Sequence, residues 1–160
     1  MEEQKFKFPT EMVDLPSKGL VYPEGHPLSS GQVEMKYMTA REEDILSNQN
    51  FISKGIVLDK LLESLTLNKF DIKDLITGDK NAILVASRVL GYGKDYSFTY
   101  GGKEYTVDLS KIDNKPFNDS LVSSKGTLDF TLPNSGTKVE FKLLSEKDEE
   151  KVKQEIEGLK

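Results

Sequence analysis

Prolines are concentrated at one end of the chain, and this constrains the fold more than any other feature of the sequence. Four of the six prolines lie within the first 30 residues. Proline fixes φ, has no amide hydrogen to donate and biases the preceding residue toward extended backbone, so a long helix is excluded there. The same segment is rich in apolar side chains: Phe6, Phe8, Met12, Val13, Leu15, Leu20, Val21 and Tyr22. We therefore predict an extended arm over residues 1–31 that packs either on this chain or on a neighbouring subunit.

A strand and two helices are predicted after the arm. Residues 32–37 alternate between polar and apolar side chains, which is the pattern of a half-buried strand. Thr39 stands three residues before Glu42, the spacing of a capping box, so we expect a helix to begin at Ala40. Apolar residues over 57–65 recur at helical spacing and predict a second helix with one buried face.

The third predicted helix is the one that we expect to be most buried. A short helical turn over 71–76 precedes it. Asp79 is placed to cap a helix over 80–90, and Gly91 is placed to end that helix. Residues 82–86 in its centre are apolar, so nearly every side of the helix should face the core.

Two β-hairpins are predicted where the apolar period changes to two. Gly101-Gly102 permits the positive φ that a two-residue type I′ turn requires. The predicted register pairs Tyr100 with Lys103, Phe98 with Tyr105 and Tyr96 with Val107. A second hairpin joins residues 128–132 to residues 139–143 through a turn at 133–136. The aromatic side chains of the first hairpin should therefore share one face.

A charged helix is predicted at the C-terminal end, beginning after Ser145 with a capping pattern that includes Asp148. Its apolar residues form only a narrow stripe, spaced four and three residues apart: Val152, Ile156 and Leu159. Such a stripe is too narrow to pack a core and favours contact with a partner.

Together these patterns predict an α+β fold. It has a small helical core with an extended N-terminal arm and strand, followed by two β-hairpins and a C-terminal helix. The corresponding segments are residues 1–31, 32–95, 96–144 and 145–160. At this length we expect them to form one domain overall, either complete or truncated.

Charge and composition exclude several classes of function. The chain carries 22 Lys and Arg against 27 Asp and Glu, for a net charge of −5, so it lacks the basic excess of a nucleic-acid-binding protein. It has no cysteine and one histidine, His26, so we predict no metal site and no cofactor. No apolar run approaches the roughly 20 residues of a membrane helix, so membrane insertion is not expected.

Candidate catalytic groups are few. His26 could form a triad with Ser29 or Ser30 and an aspartate, but no nucleophile elbow accompanies them, which favours a locally hydrogen-bonded loop histidine. Residues 42–44 are all acidic and could form an acid–base pair, although a helix N-terminus also favours negative charge. We predict no catalytic residues, no small-molecule substrate and no enzyme activity. Arg88 is expected to pair with one of three carboxylates: Asp59, Glu63 or Asp95.

An ordered series of short blocks resembles one known family. The blocks are Phe8-Pro9-Thr10, Leu15-Pro16-Ser17-Lys18-Gly19, Tyr22-Pro23, residues 27–31, residues 35–46, residues 55–62 and residues 78–82, and the likeness continues to about Tyr96. They resemble the T4-type bacteriophage baseplate protein family, whose members are baseplate hub subunits or hub assembly proteins of contractile-tailed phages. Relatives often carry cysteine pairs where this chain has Gly101-Gly102, so a metal-free hairpin is expected here. Relatives are also commonly longer at the C-terminus.

The resemblance implies a structural role without catalytic residues. The chain would be a structural subunit or assembly factor of the tail baseplate hub, synthesised in the host cytoplasm and located in the virion tail baseplate. Its partners would be other baseplate or hub proteins, or a second copy of itself. Two alternatives stay open: a hub assembly chaperone absent from the mature virion, and a tail-tip hydrolase of the cell wall.

The predicted contact surface combines the arm with the start of the first helix. The predicted partner-binding residues are Phe6, Phe8, Leu15, Pro16, Ser17, Leu20, Tyr22, Met35, Tyr37 and Arg41. On this hypothesis, deleting residues 1–22 should abolish association with hub partners while the helical core stays folded.

Overall fold

The computed structural model of the chain describes residues 9–113, 118–123 and 126–159. Within these ranges the fold is α+β, as predicted, with five helices and three two-stranded antiparallel sheets. The helices are α1 (Ala40–Ser47), α2 (Gln49–Ser53), α3 (Val57–Leu65), α4 (Thr77–Tyr92) and α5 (Glu146–Gly158). The strands are β1 (Thr10–Asp14), β2 (Gln32–Lys36), β3 (Asp95–Tyr100), β4 (Lys103–Asp108), β5 (Leu128–Thr131) and β6 (Lys138–Phe141). Short 3₁₀ turns lie at Pro27–Ser30, Ile72–Asp74, Leu109–Lys111 and Asp119–Leu121.

The predicted starts of α1 and α5 are confirmed. Thr39 and Glu42 form the capping box at α1. At α5 the Ser145 side chain accepts a hydrogen bond from the Asp148 amide, and the Asp148 carboxylate accepts one from the Ser145 amide. In each case the helix begins at the residue after the cap, because the cap satisfies amide groups that have no partner within the helix.

Both predicted hairpins are confirmed. β3 pairs with β4 in the predicted register, with Phe98 opposite Tyr105 and Gly101 and Gly102 both at positive φ in the turn. β5 pairs with β6, with Phe130 opposite Val139. The period-two pattern is a local feature of both hairpins, and β3–β4 adds a two-residue turn, so these pairings are specified without long-range information.

The predicted bounds of α4 are wrong at both ends. The helix begins at Thr77, and Asp79 lies inside its first turn, not at its cap. It also continues through Gly91 to Tyr92. Gly91 lies within the helix, where a Cβ would collide with the Met38 side chain. The glycine that follows the helix end is Gly93, at φ +82°.

The prediction that α4 is the most buried helix is also wrong. Leu61, Leu62 and Leu65 give α3 three buried leucines in nine residues. The buried apolar side chain of α4 is Ile83. The other apolar residues of this helix are half-buried, and Tyr92 is exposed. An apolar run on a helix therefore does not by itself determine how much of that run the fold covers.

The described residues group into two compact units. The first contains the described residues up to Val13, with Glu34–Leu67 and Leu84–Ile112. The second contains Asp14–Val33, Asn68–Ile83 and the described residues from Asp113 onward. The predicted division into four consecutive segments of one domain stays a prediction.

In the first unit, α1 packs on α3 and β2 lies beside the end of α3. The Leu67 amide donates to the Glu34 carbonyl at 2.9 Å, and Met35 forms a bridge with Thr66. Met35 and Leu62 are fully buried there, and the exposed fraction of Leu65 is 1%. This small core holds α1 and its capping box in place.

In the second unit, the residues of the predicted arm form part of the core. Leu15, Leu28 and Val33 are buried, together with Ile72 and Leu75 around the 3₁₀ turn Ile72–Asp74. α5 contacts the same turn. Across the described ranges, no helix combines the length and the apolar character needed to cross a membrane.

Candidate functional site

Asp79 lies at the centre of a buried polar cluster in the second unit. One carboxylate oxygen accepts the Ser17 amide at 3.0 Å, and the other accepts the Ser17 hydroxyl at 2.6 Å and the Tyr22 hydroxyl at 2.7 Å. The Tyr22 oxygen in turn accepts the Ile76 amide at 3.2 Å. The three side chains are buried. Residues 15–22 are therefore bound to this chain's own α4.

The Tyr22 hydroxyl is held as a donor. Burial raises the pKa of Tyr22 well above its usual range, and the hydrogen bond to Asp79 raises it further. The group therefore stays protonated at any physiological pH and keeps its bond to the carboxylate.

Gly19 allows the same loop to pack closely. It adopts φ +77°, and a Cβ there would lie 2.6 Å from both the Gly31 amide nitrogen and the Ser29 carbonyl oxygen. No side chain larger than hydrogen fits this backbone approach. The Leu15–Gly19 block that carries part of the family resemblance therefore has an internal structural role in this chain.

The predicted partner-binding residues divide into buried and exposed groups. Buried in the chain are Leu15, Ser17, Tyr22 and Met35. Their side chains are covered by this chain itself, which corrects the expectation that they form an open contact surface. Exposed are Leu20, Tyr37 and Arg41, while Pro16 is half-buried. Phe6 and Phe8 lie outside the described residues.

Glu42 forms a second buried polar cluster, in the first unit. One of its oxygens accepts the Lys36 ammonium at 2.7 Å and the Ser64 hydroxyl at 2.5 Å. The other accepts the Thr39 amide at 2.9 Å and the Thr39 hydroxyl at 2.6 Å. Burial alone would raise the pKa of Glu42, but these donors outweigh it and lower the pKa from 4.5 to about 2. The group is therefore an anion at neutral pH, and it joins α1, α3 and β2.

The remaining candidates for chemistry have structural roles. His26 accepts the Leu28 amide at its Nδ1 (3.2 Å), which confirms the prediction of local hydrogen bonding, and its ring stacks on Tyr22. Arg88 lies over the rings of Tyr92 and Tyr96, 4.9 and 5.7 Å from their centroids, and donates to the Gly93 carbonyl. The predicted carboxylate pairing is replaced by cation–π contacts. Within the described ranges, no three metal-ligating side chains come together.

The β3–β4 hairpin presents an exposed aromatic face. Tyr96 stacks on Phe98 and Phe98 stacks on Tyr105, with centroids 5.9 and 5.7 Å apart. These three rings are exposed by 44, 39 and 43%. Both faces of the hairpin are open, because every residue of β3 and all but the last of β4 are exposed. We call the ring face, with Tyr100 and Val107, the aromatic face.

Apolar side chains are also exposed on the β5–β6 hairpin and the segment that follows it. They are Phe130, Leu132, Val139, Phe141, Leu143 and Leu144. A smaller apolar groove of about 280 Å³ in the first unit is lined by Met38, Leu46, Leu58, Leu61, Leu84, Ser87, Arg88 and Tyr92. Among the described residues, both hairpins therefore expose several large apolar side chains.

No match is found among protein-family models, curated protein sequences or solved structures.

Proposed function

We propose that this chain acts through protein–protein contacts as a structural subunit or assembly factor of the baseplate hub of a contractile-tailed bacteriophage. The resemblance of the blocks between residues 8 and 96 supports the assignment to a hub. On this proposal the protein is made in the host cytoplasm and located in the virion tail baseplate. It binds other hub proteins and takes no small-molecule substrate.

The observation that carries the contact role is the aromatic face of the β3–β4 hairpin. Aromatic residues are enriched where proteins bind one another, and contiguous exposed apolar patches mark such surfaces. An isolated two-stranded hairpin with no covered face is also only marginally stable in water. A partner that covers Phe98 and Tyr105 would bury the rings and stabilise the hairpin at the same time.

Removing rings from the aromatic face should weaken partner binding. The double variant Phe98→Ser/Tyr105→Ser is expected to reduce affinity for purified hub proteins at least about tenfold, because buried aromatic side chains dominate interface energies. The matched control is Thr99→Ser/Glu104→Ser, which changes a cross-strand pair on the opposite face. Binding is measured by biolayer interferometry, with thermal unfolding recorded for each variant. If the two double variants bound hub proteins with equal affinity, the aromatic face would not be the contact surface.

The roles of structural subunit and assembly chaperone differ in whether the protein is present in the mature virion. A structural subunit is present in purified virions at a fixed ratio to other baseplate proteins, whereas an assembly chaperone is absent from them. Quantitative mass spectrometry of purified virions makes this distinction. We expect the subunit role, because the wide exposed surface of the β3–β4 hairpin favours a permanent contact.

The cell-wall hydrolase is the second candidate function, and residues 42–44 are its sequence basis. A general acid must hold a proton near neutral pH, whereas Glu42 is buried and its pKa is lowered to about 2. Purified protein is therefore expected to release no peptidoglycan fragments. Release that is lost in Glu43→Gln would favour the hydrolase instead.

A further inference from the structure

α5 is held to its own unit by its charged side. Glu150 pairs with Lys73 at 2.7 Å, Glu146 pairs with Lys80, and Lys147 lies 3.7 Å from Asp74. The Glu146 amide also donates to the Leu75 carbonyl. The inward-facing side of this helix is thus its polar side, which is the reverse of the usual amphipathic arrangement.

The apolar side of α5 faces away from these contacts. At about 100° per residue, the centre of the stripe formed by Val152, Ile156 and Leu159 lies about 130° around the helix from Glu146 and Glu150. The three apolar side chains, which we call the α5 stripe, are exposed by 45, 52 and 87%. A stripe with four-then-three spacing is the pattern of a coiled-coil contact.

We propose that the α5 stripe binds the α5 stripe of a second copy of this chain, with the two helices parallel and in register. The charges beside the stripe are complementary to those of a second copy and favour one direction. With Val152 and Leu159 at d and Ile156 at a, the g positions are Asp148 and Glu155, while Lys153 is at e. One flank of the stripe is therefore acidic and the other flank is basic.

Only the parallel arrangement pairs opposite charges. In a parallel pair, each g residue faces the e residue five positions later in the other helix, so Asp148 of one copy faces Lys153 of the other, although Asp148 also pairs with Lys142 at 2.8 Å and caps its own helix. An antiparallel pair would place acidic flank against acidic flank and basic flank against basic flank.

The stripe has a defined beginning. The preceding a position is Glu149, so the apolar contact starts at Val152, and the helices diverge before it. Two apolar positions within a 13-residue helix, with a third at its C-cap Leu159, give a weak association, because stable coiled coils need more heptads. Extending the stripe to Glu149 should strengthen the association.

Cysteine crosslinking tests both the contact and its direction, since the chain has no cysteine of its own. Leu159→Cys is expected to form a disulfide-linked dimer under mild oxidation, because parallel d positions lie side by side. Gln154→Cys, on the opposite side of α5, is the matched control. A dimer yield no higher for Leu159→Cys than for Gln154→Cys would overturn the proposal. So would preferential linkage of Val152→Cys to Leu159→Cys in a mixture, which indicates antiparallel helices.

Sedimentation of the purified chain provides a test without crosslinking. Ile156→Asp should abolish the concentration-dependent dimer, whereas Glu149→Leu should raise the dimer fraction severalfold and Gln154→Leu should leave it unchanged. A chain that stays monomeric with Glu149→Leu contradicts the inference. These measurements contain no hub protein, so their outcome is independent of the proposed hub function.

Discussion

Replacing Asp79 with alanine is expected to reduce the free energy of unfolding by about 3 to 5 kcal/mol. Three buried donors lose their acceptor, at a cost of about 1 to 3 kcal/mol each. Part of this cost is offset because the variant no longer buries a charged carboxylate. The donors are the amide and hydroxyl of Ser17 and the hydroxyl of Tyr22. A water molecule could replace the carboxylate as acceptor only by entering a site in which all three residues are buried. Urea unfolding followed by far-UV circular dichroism measures the loss.

The control for this experiment is Asp119→Ala. Asp119 also accepts from the arm, through a 2.7 Å ion pair with Lys18, but both side chains are about half exposed. Exposed pairs contribute at most about 1 kcal/mol. If Asp79→Ala cost no more than Asp119→Ala, the buried cluster would not be what holds residues 15–22 in place.

The Asp79 cluster also changes how the arm should be tested. Deleting residues 1–22 removes Ser17 and Tyr22 and leaves the buried carboxylate without its donors. We therefore expect the deletion to unfold the second unit, so a loss of partner binding would not locate the interface. Point variants at the exposed Leu20 in the arm, and at the exposed Tyr37 just after β2, are the informative substitutions.

The sequence predicts the features that depend on neighbouring residues. The β3–β4 register follows from Gly101-Gly102 and the alternating rings, and the start of α1 follows from Thr39 and Glu42. α2 is missed because its only start signal is the capping residue Asn48, and an asparagine at this position is equally typical of the end of α1. Helix existence is therefore predicted well where periodicity and a cap agree, and poorly in a five-residue helix.

The candidate site is harder to predict because its partners are distant in sequence. The carboxylate of Asp79 is expected to cap its own helix, but its donors lie 57 and 62 residues away. Apolar side chains in the arm are equally compatible with packing on this chain or on a neighbour. The structure places Leu15 in the interior and leaves the rings of the β3–β4 hairpin exposed. Burial of this kind depends on tertiary packing, which no local pattern contains.

Acid should destabilise the first unit through Glu42. The folded state holds the pKa of Glu42 at about 2, below the ordinary value of 4.5, because Lys36, Ser64 and Thr39 bind its charged form. The stabilisation is complete above pH 4.5 and is lost as the pH falls from 4.5 to 2, since the unfolded state then binds a proton that the folded state does not. The shift corresponds to a loss on the order of 3 kcal/mol.

Comparing variants isolates this contribution from that of other carboxylates. The pKa values of Asp108 and Asp148 are also lowered to about 2, so the native protein is acid-sensitive for more than one reason. Glu42→Gln should be less stable at pH 7 and should lose less stability between pH 4.5 and 2 than the native chain does. Glu43→Gln, at the exposed neighbouring position, should keep the native pH dependence. Urea unfolding at stepped pH measures all three, and identical slopes for Glu42→Gln and the native chain would show that Lys36, Ser64 and Thr39 do not stabilise the fold through this charge.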